Sequence, residues 1–153
     1  MALSPYLIAR VERFLRLKVD AADRATTELE ERFTGPLPFG TAGIRGILGA
    51  GESRMNRSLV LRITYGLGTY LLEKVPDVST SDVAIARDGR KHSDVFQKDA
   101  AEMLNALGIP VHWIDGPEPT PLLAFTVGHL DASAGIVITA SRNPPAYNGY
   151  KVY

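Results

Sequence analysis

The 153-residue sequence contains no cysteine, so neither disulfides nor thiolate metal centres hold it together. It carries no net charge, with 17 basic residues against 17 acidic ones, and this argues against a general nucleic-acid binder, which shows a basic excess or stripe. No stretch approaches the roughly 20 consecutive apolar residues that span a bilayer. The opening MALSPYLIARVERFLRLKVD lacks the basic head, unbroken apolar core and small-residue cleavage site of a secretory signal. These absences favour a reducing, cytoplasmic setting with neither nucleic acid nor membrane as partner. Internal repeats and low-complexity tracts are also missing. The chain has the length of one domain, and at 45% hydrophobic and 22% charged residues it has the composition of an ordinary packed protein.

What the sequence does contain is alternation. Residues 5–33 read as helical, with Leu7, Ile8, Val11, Phe14 and Leu15 on one stripe. Asp20 is a fair N-cap for a second helix bearing Leu29 and Phe33. The turn-rich TGPLPFGTAG, 34–43, leads to a weak strand at 44–48. Next comes a helix from Asn56, with Leu59, Val60, Ile63, Leu67 and Leu71 at helical spacing, stopped by Pro76. Strand 82–87 precedes a helix capped by Ser93 or Asp94 and ended by Gly108. Strand 109–114, a helix over 121–129 and strand 134–140 follow. The final NGYKVY reads as a turn and a strand over 150–153, so the chain looks cut rather than finished. Strands alternating with helices predict an α/β fold: a three-layer α/β/α domain with a mixed, largely parallel sheet, preceded by N-terminal helices.

In open α/β sheets, ligands gather beyond the carboxyl ends of the strands, where loops meet the N-termini of the following helices. Two loops fall there: D-G-R-K-H-S, 88–93, and S-R-N-P, 141–144. A third, G-T-A-G-I-R-G at 40–46, could fold over the same edge. Each has a plain reading beside the chemical one. Arg90 and Lys91 could be solvated surface charges, and the glycines could serve only turns. His92 reads as a loop or capping residue, since no Cys or second His stands at a metal-binding interval. His112 and His129 read as structural.

Ser141 could be a turn former or a cap. T-A-S-R-N is not the G-x-S-x-G of a hydrolase elbow, and no GxxxxGK[ST] loop occurs. Yet Ser141 is flanked by Arg142 and Asn143, with Lys151 ten residues on and Arg45 and Arg90 within reach of the same edge. Guanidinium forks and backbone N–H groups suit a phosphate, and a phosphoserine needs such partners. The residues themselves thus suggest an oxyanion site without naming a reaction.

F-G-T-A-G-I-R-G at 39–46, D-G-R at 88–90, P-T-P at 119–121 and T-A-S-R-N-P…N-G-Y-K-V-Y at 139–153 stand in the order and spacing of the first domain of the α-D-phosphohexomutases. On these motifs the chain resembles the N-terminal domain of a phosphoglucomutase or phosphomannomutase. The resemblance implies a domain I over residues 39–153 behind a helical extension over 1–38. It implies that Ser141 carries a phosphoryl group, donates it to a hexose phosphate, and regains one from the bisphosphorylated sugar, so that phosphate moves between the 1- and 6-positions. It also implies Mg²⁺ bound through the Ser141 phosphate, Arg45 near that phosphate, and Lys151 helping with proton transfer. Thr139, Asn143, Asp88 and Arg90 match positions that shape the same site.

The sequence departs from the family twice. The family has histidine directly after the serine, where this chain has Arg142. Arginine holds an anion but cannot act as a base near neutral pH, so general acid/base help is expected to weaken while anion binding is kept. The family's three further domains, with an aspartate-rich metal loop, lie beyond the motifs found here, and no D-x-D-x-D run occurs. This chain alone is therefore expected to turn over little or no hexose phosphate, its partners being the remaining domains and the sugar phosphate. The alternatives are a noncatalytic sugar-phosphate or phosphate-binding module and a subunit that completes a split mutase.

Overall fold

The computed structural model describes residues 5–41, 43–75 and 82–153. The elements run α1 (Pro5–Glu31), β1 (Gly43–Ile47), α2 (Arg57–Lys74), β2 (Val83–Arg87), α3 (Ser93–Ala106), β3 (Val111–Pro117), α4 (Thr120–Leu130), β4 (Ala134–Ile138) and β5 (Tyr147–Val152). The five strands form one sheet in the order β1-β5-β4-β2-β3. The α/β/α expectation holds: β2 pairs in parallel with both β3 and β4, while β5 runs antiparallel to β4 and to β1.

β2 and β4 are central and buried on both faces, which is why VAIAR and AGIVI read as continuous apolar runs rather than alternating ones. One face packs Ile85, Ile136 and Tyr150 against Val60 of α2 and Phe96 and Leu104 of α3. The other face packs Ala84, Ala86 and Val137 against Leu123 of α4. Small residues let α4 approach closely: a Cβ at Gly135 would come within 2.5 Å of Val127 and 3.0 Å of Leu123. α4 covers β2 and β4, so the β5–β1 end of that face stays open. There Arg45, Ile47 and Tyr153 are exposed.

The helix starts and stops are local chemistry. Asn56 caps α2 by accepting from Leu59 N–H at 3.0 Å, and its amide donates to the carbonyls of Gly49, Gly51 and Arg54. Gly108, at φ 78°, takes the left-handed turn that ends α3.

Several expectations change. Residues 5–31 form one helix, and Asp20 lies inside it rather than capping a second. No glycine or proline interrupts the stretch after Pro5, and Ala21, Ala22 and Ala25 favour continuation. α3 begins at Ser93, but its N-cap is His92 at φ 65°, without a side-chain cap bond, because the Ser93 hydroxyl is bonded to Asp88. Asn148 and Gly149 lie within β5 rather than in a turn, and the chain reverses before them, over 141–146. Pro76 and Ala42, the residues read as a helix stop and as part of the G-T-A-G turn, lie outside the described residues, as do the Leu7 and Ile8 side chains.

Candidate active-site loop at the β4–β5 junction

β4 delivers the chain to Thr139 and Ala140, both buried, and then to Ser141 at the surface. Ser141 has φ 58°, in the left-handed region that a side chain with a Cβ adopts at a cost of about 1–2 kcal/mol. The surroundings over-determine it, as such conformations require. Its N–H donates to Thr139 Oγ1 at 2.9 Å, and its carbonyl accepts from Arg90 Nη2 at 2.9 Å. With both backbone groups anchored, the side chain projects from a fixed corner. Its Oγ has no hydrogen bond among the described residues.

Arg90 fixes the loop. Nη2 donates to the Ser141 and Asn143 carbonyls at 2.9 and 2.8 Å, and Nη1 to those of Pro144 and Tyr147 at 3.0 and 3.1 Å. Nε donates to Asp88 Oδ2 at 3.2 Å, so all five guanidinium N–H groups have partners. The Asp88 carboxylate is engaged in turn by the Arg90 N–H at 3.0 Å and the Ser93 hydroxyl at 2.9 Å. The fork suggested for Arg90 as a phosphate ligand is thus directed at backbone carbonyls instead.

The two loops are joined a second time by a residue that sequence reading passed over. Asn148 is fully buried, and its amide donates to the Lys91 carbonyl at 2.9 Å and to Ser93 Oγ at 3.0 Å. Its Oδ1 accepts from Gly149 N–H at 2.7 Å. The only signal was N-G, which has a strong hairpin meaning and masked the alternative.

Arg45 lies beside this corner because β1 pairs with β5, placing it opposite Gly149. A Cβ at Gly149 would fall 2.6 Å from the Ile44 carbonyl oxygen, 2.7 Å from that of Thr139 and 3.0 Å from Arg45 Cγ. The missing side chain therefore lets the Arg45 stem cross β5 next to Thr139. Arg45 and Arg142 are exposed and have no hydrogen bond or ion pair among the described residues, so two unneutralised guanidinium groups attend the Ser141 end of the sheet.

Lys151 shares the Arg45 face, opposite Val137, but its Nζ donates to the Tyr153 hydroxyl at 2.7 Å and lies 5.1 Å from that ring's centroid. Since Tyr153 pairs with Gly135, the ammonium leans along β5 away from the Ser141 end. The histidines sit apart from the serine. His92 tilts against Phe96 at 6.2 Å, His129 stacks on Phe125 at 5.3 Å, and His112 stands 4.0 Å from Asp82. A hollow of ≈ 840 Å³ beside α2 and α3 includes Lys91 and His92 in its wall but not Ser141.

Among the described residues no three His, Cys, Asp or Glu side chains cluster, and both Asp88 oxygens already accept hydrogen bonds. Magnesium takes six oxygens in near-octahedral array, commonly including carboxylates. The described residues do not make that site.

Comparison with known proteins agrees with this architecture. A family model described as phosphoglucomutase/phosphomannomutase, alpha/beta/alpha domain I, matches residues 36–153. The human phosphopentomutase is 42% identical over 132 residues, covering 82% of this chain and 22% of its own length. The Staphylococcus haemolyticus phosphoglucomutase is 43% identical over 130 residues, covering 85% of this chain and 23% of its own. The crystal structure of a phosphoglucomutase/phosphomannomutase family protein from Burkholderia thailandensis superposes with a TM-score of 0.62 at 28% identity, over 74% of this chain and 25% of that one. The chain thus spans under a quarter of the length of these two relatives. It belongs to the phosphoglucomutase/phosphomannomutase family, and residues 36–153 are its alpha/beta/alpha domain I.

Proposed function

We propose that Ser141 is the phosphoryl carrier of a sugar-phosphate mutase and that this chain is its phosphoserine-bearing domain. The reading rests on one observation above all: a serine hydroxyl held at a left-handed corner, its backbone clamped by Thr139 and Arg90, with neither that hydroxyl nor the neighbouring Arg45 and Arg142 side chains bonded among the described residues.

In the forward step a hydroxyl of a hexose phosphate attacks the Ser141 phosphorus. The bond from phosphorus to Oγ breaks, a sugar bisphosphate forms, and the proton of the attacking hydroxyl passes to a base. The bisphosphate then reorients, and its other phosphoryl group returns to Oγ. Arg45 and Arg142 hold negative charge that spreads over the transferring oxygens, where preorganised cations act most strongly. Arg90, Asp88, Asn143 and Asn148 keep the loop rigid, so that little reorganisation accompanies transfer. Lys151 serves the proton step only after releasing Tyr153. A Mg²⁺ ion would take the Ser141 phosphate as one ligand and require carboxylates from other domains. Turnover of free hexose or pentose phosphate by this chain alone is expected to be negligible. A cytoplasmic setting is part of the proposal; among the described residues no helix is long and apolar enough to cross a membrane.

Incubation with glucose 1,6-bisphosphate followed by intact-mass measurement tests the carrier role. Wild-type chain should gain the mass of one phosphoryl group, and Ser141→Ala should gain none. Binding of the bisphosphate without any mass gain would instead support the noncatalytic sugar-phosphate module. That reading is favoured by one observation, Arg142 standing where the resemblance places a histidine.

A further inference from the structure

α1 is an amphipathic helix whose apolar stripe has no partner among the described residues. Its 27 residues span about 40 Å, and every residue from 9 to 31 is exposed. Val11, Phe14, Leu15, Val19 and Leu29 share one stripe and are 49–60% exposed, an arrangement that ordinarily faces a second apolar surface. The helix's polar bonds to other described residues lie at its C-terminal end, where Arg54 donates to the Glu31 carbonyl and carboxylate.

Charge along the helix identifies the missing partner. Residues 10–18 hold four cations, Arg10, Arg13, Arg16 and Lys18, against the single carboxylate of Glu12, a net +3. Residues 20–31 hold five carboxylates, Asp20, Asp23, Glu28, Glu30 and Glu31, against Arg24, a net −4. A parallel pairing sets like charge beside like, whereas an antiparallel pairing sets each basic half beside an acidic one.

The flanks of the stripe agree. Arg10 and Glu28 are about five whole turns apart and lie on one flank, and Arg16 and Asp23 are about two turns apart on the other. Antiparallel helices bring matching flanks together, so Arg10 would meet the partner's Glu28, which Arg32 of the same chain already holds at 2.6 Å, and Arg16 the partner's Asp23. The folded bodies, each attached at the C-terminal end of its helix, would then lie at opposite ends of the pair and would not collide.

We propose that α1 is a homodimerisation helix that pairs antiparallel, across a two-fold axis, with α1 of a second copy of this chain. Such an axis is the commonest symmetry of soluble oligomers and makes both charge matches at once. Lys18 interrupts the stripe near its middle, its Nζ drawn back over the Phe14 ring at 5.5 Å. A polar residue at such a seam favours one register over its neighbours.

Sedimentation velocity of the full chain from about 1 to about 100 µM should show the mass doubling with concentration. Leu15→Glu, at a site exposed in the single chain, should remain monomeric throughout while the domain keeps its far-ultraviolet circular dichroism and melting temperature. The sequence has no cysteine, so Arg10→Cys and Glu28→Cys variants report orientation under mild oxidation. A mixture of the two should give mostly mixed disulfide dimers. Wild-type chain that stays monomeric at about 100 µM overturns the proposal, as does a Leu15→Glu variant that dimerises like wild type. Preferential Arg10→Cys self-linkage overturns the antiparallel arrangement. A monomer that cosediments with phosphatidylserine vesicles overturns it in favour of a lipid-facing helix.

Discussion

Arg90 Nη2 donates to the Ser141 carbonyl at 2.9 Å, tying the loop after β2 to the residue after β4 across 51 positions of sequence. The same guanidinium holds the carbonyls of Asn143 and Pro144 in that loop and of Tyr147 at the start of β5, and its side chain is only 18% exposed. A lysine ammonium has three donors and no planar fork, so it cannot reproduce this set. Arg90→Lys is therefore expected to destabilise the domain by about 2–3 kcal/mol, the magnitude of lost charge-assisted hydrogen bonds with carbonyls left under-satisfied. Urea unfolding measures this. A midpoint equal to wild type would show that the clamp contributes nothing.

At Ser141 two effects separate. Ser141→Gly relieves the left-handed backbone and should leave stability unchanged or raise it by up to about 1 kcal/mol, because glycine's extra unfolded-state freedom offsets part of the relief. Ser141→Ala keeps the Cβ and gains nothing. Both variants should lose phosphorylation by glucose 1,6-bisphosphate completely. Unfolding curves and intact mass, taken together, distinguish a strained functional serine from an ordinary turn residue.

Gly149→Ala should be strongly damaging beside the site. Its Cβ would stand 2.6 and 2.7 Å from two backbone carbonyl oxygens, and neither β1 nor the end of β4 can give way cheaply. A loss of about 1–3 kcal/mol is expected from such overpacking, together with displacement of the Arg45 stem. Thermal melts report the first effect. The phosphorylation rate of the variant that remains folded reports the second.

Tyr150 sets an alkaline limit. The phenol is fully buried, and burial pushes its pKa well up, an effect only partly opposed by its 3.1 Å hydrogen bond with Thr64. The unfolded chain loses this proton near pH 10 while the folded one keeps it, so the unfolded state binds fewer protons and stability falls as pH rises above about 10. Tyr150→Phe should lose about 1 kcal/mol at pH 7 and show a shallower decline above pH 10. Identical alkaline slopes for the two proteins would rule out this assignment.

Much of the fold is legible in the residues. VAIAR and AGIVI announce strands buried on both faces because nothing polar interrupts them, and Asn56 and Gly108 mark helix ends through local bonding and a left-handed turn. Where reading fails, a distant partner wins over a local preference. Asp20 has a capping side chain, but the helix around it continues. Asn148-Gly149 has turn chemistry, yet buried partners on the 88–93 loop and the close passage of Arg45 hold it in a strand.

By itself, then, the sequence determined the layered α/β architecture, the family, and the two loops, 88–93 and 141–144, that meet at one sheet edge, because periodicity and motif spacing are properties of neighbours along the chain. Tertiary structure alone decided which partners each charged residue there meets. Arg90 and Lys151 look equally available in sequence, but Arg90 is surrounded by backbone carbonyls and Lys151 lies against Tyr153, leaving Arg45 and Arg142 unpaired among the described residues. The physical reason is that a cation's role follows from which acceptors converge on it, and here those acceptors come from strands and loops distant in sequence.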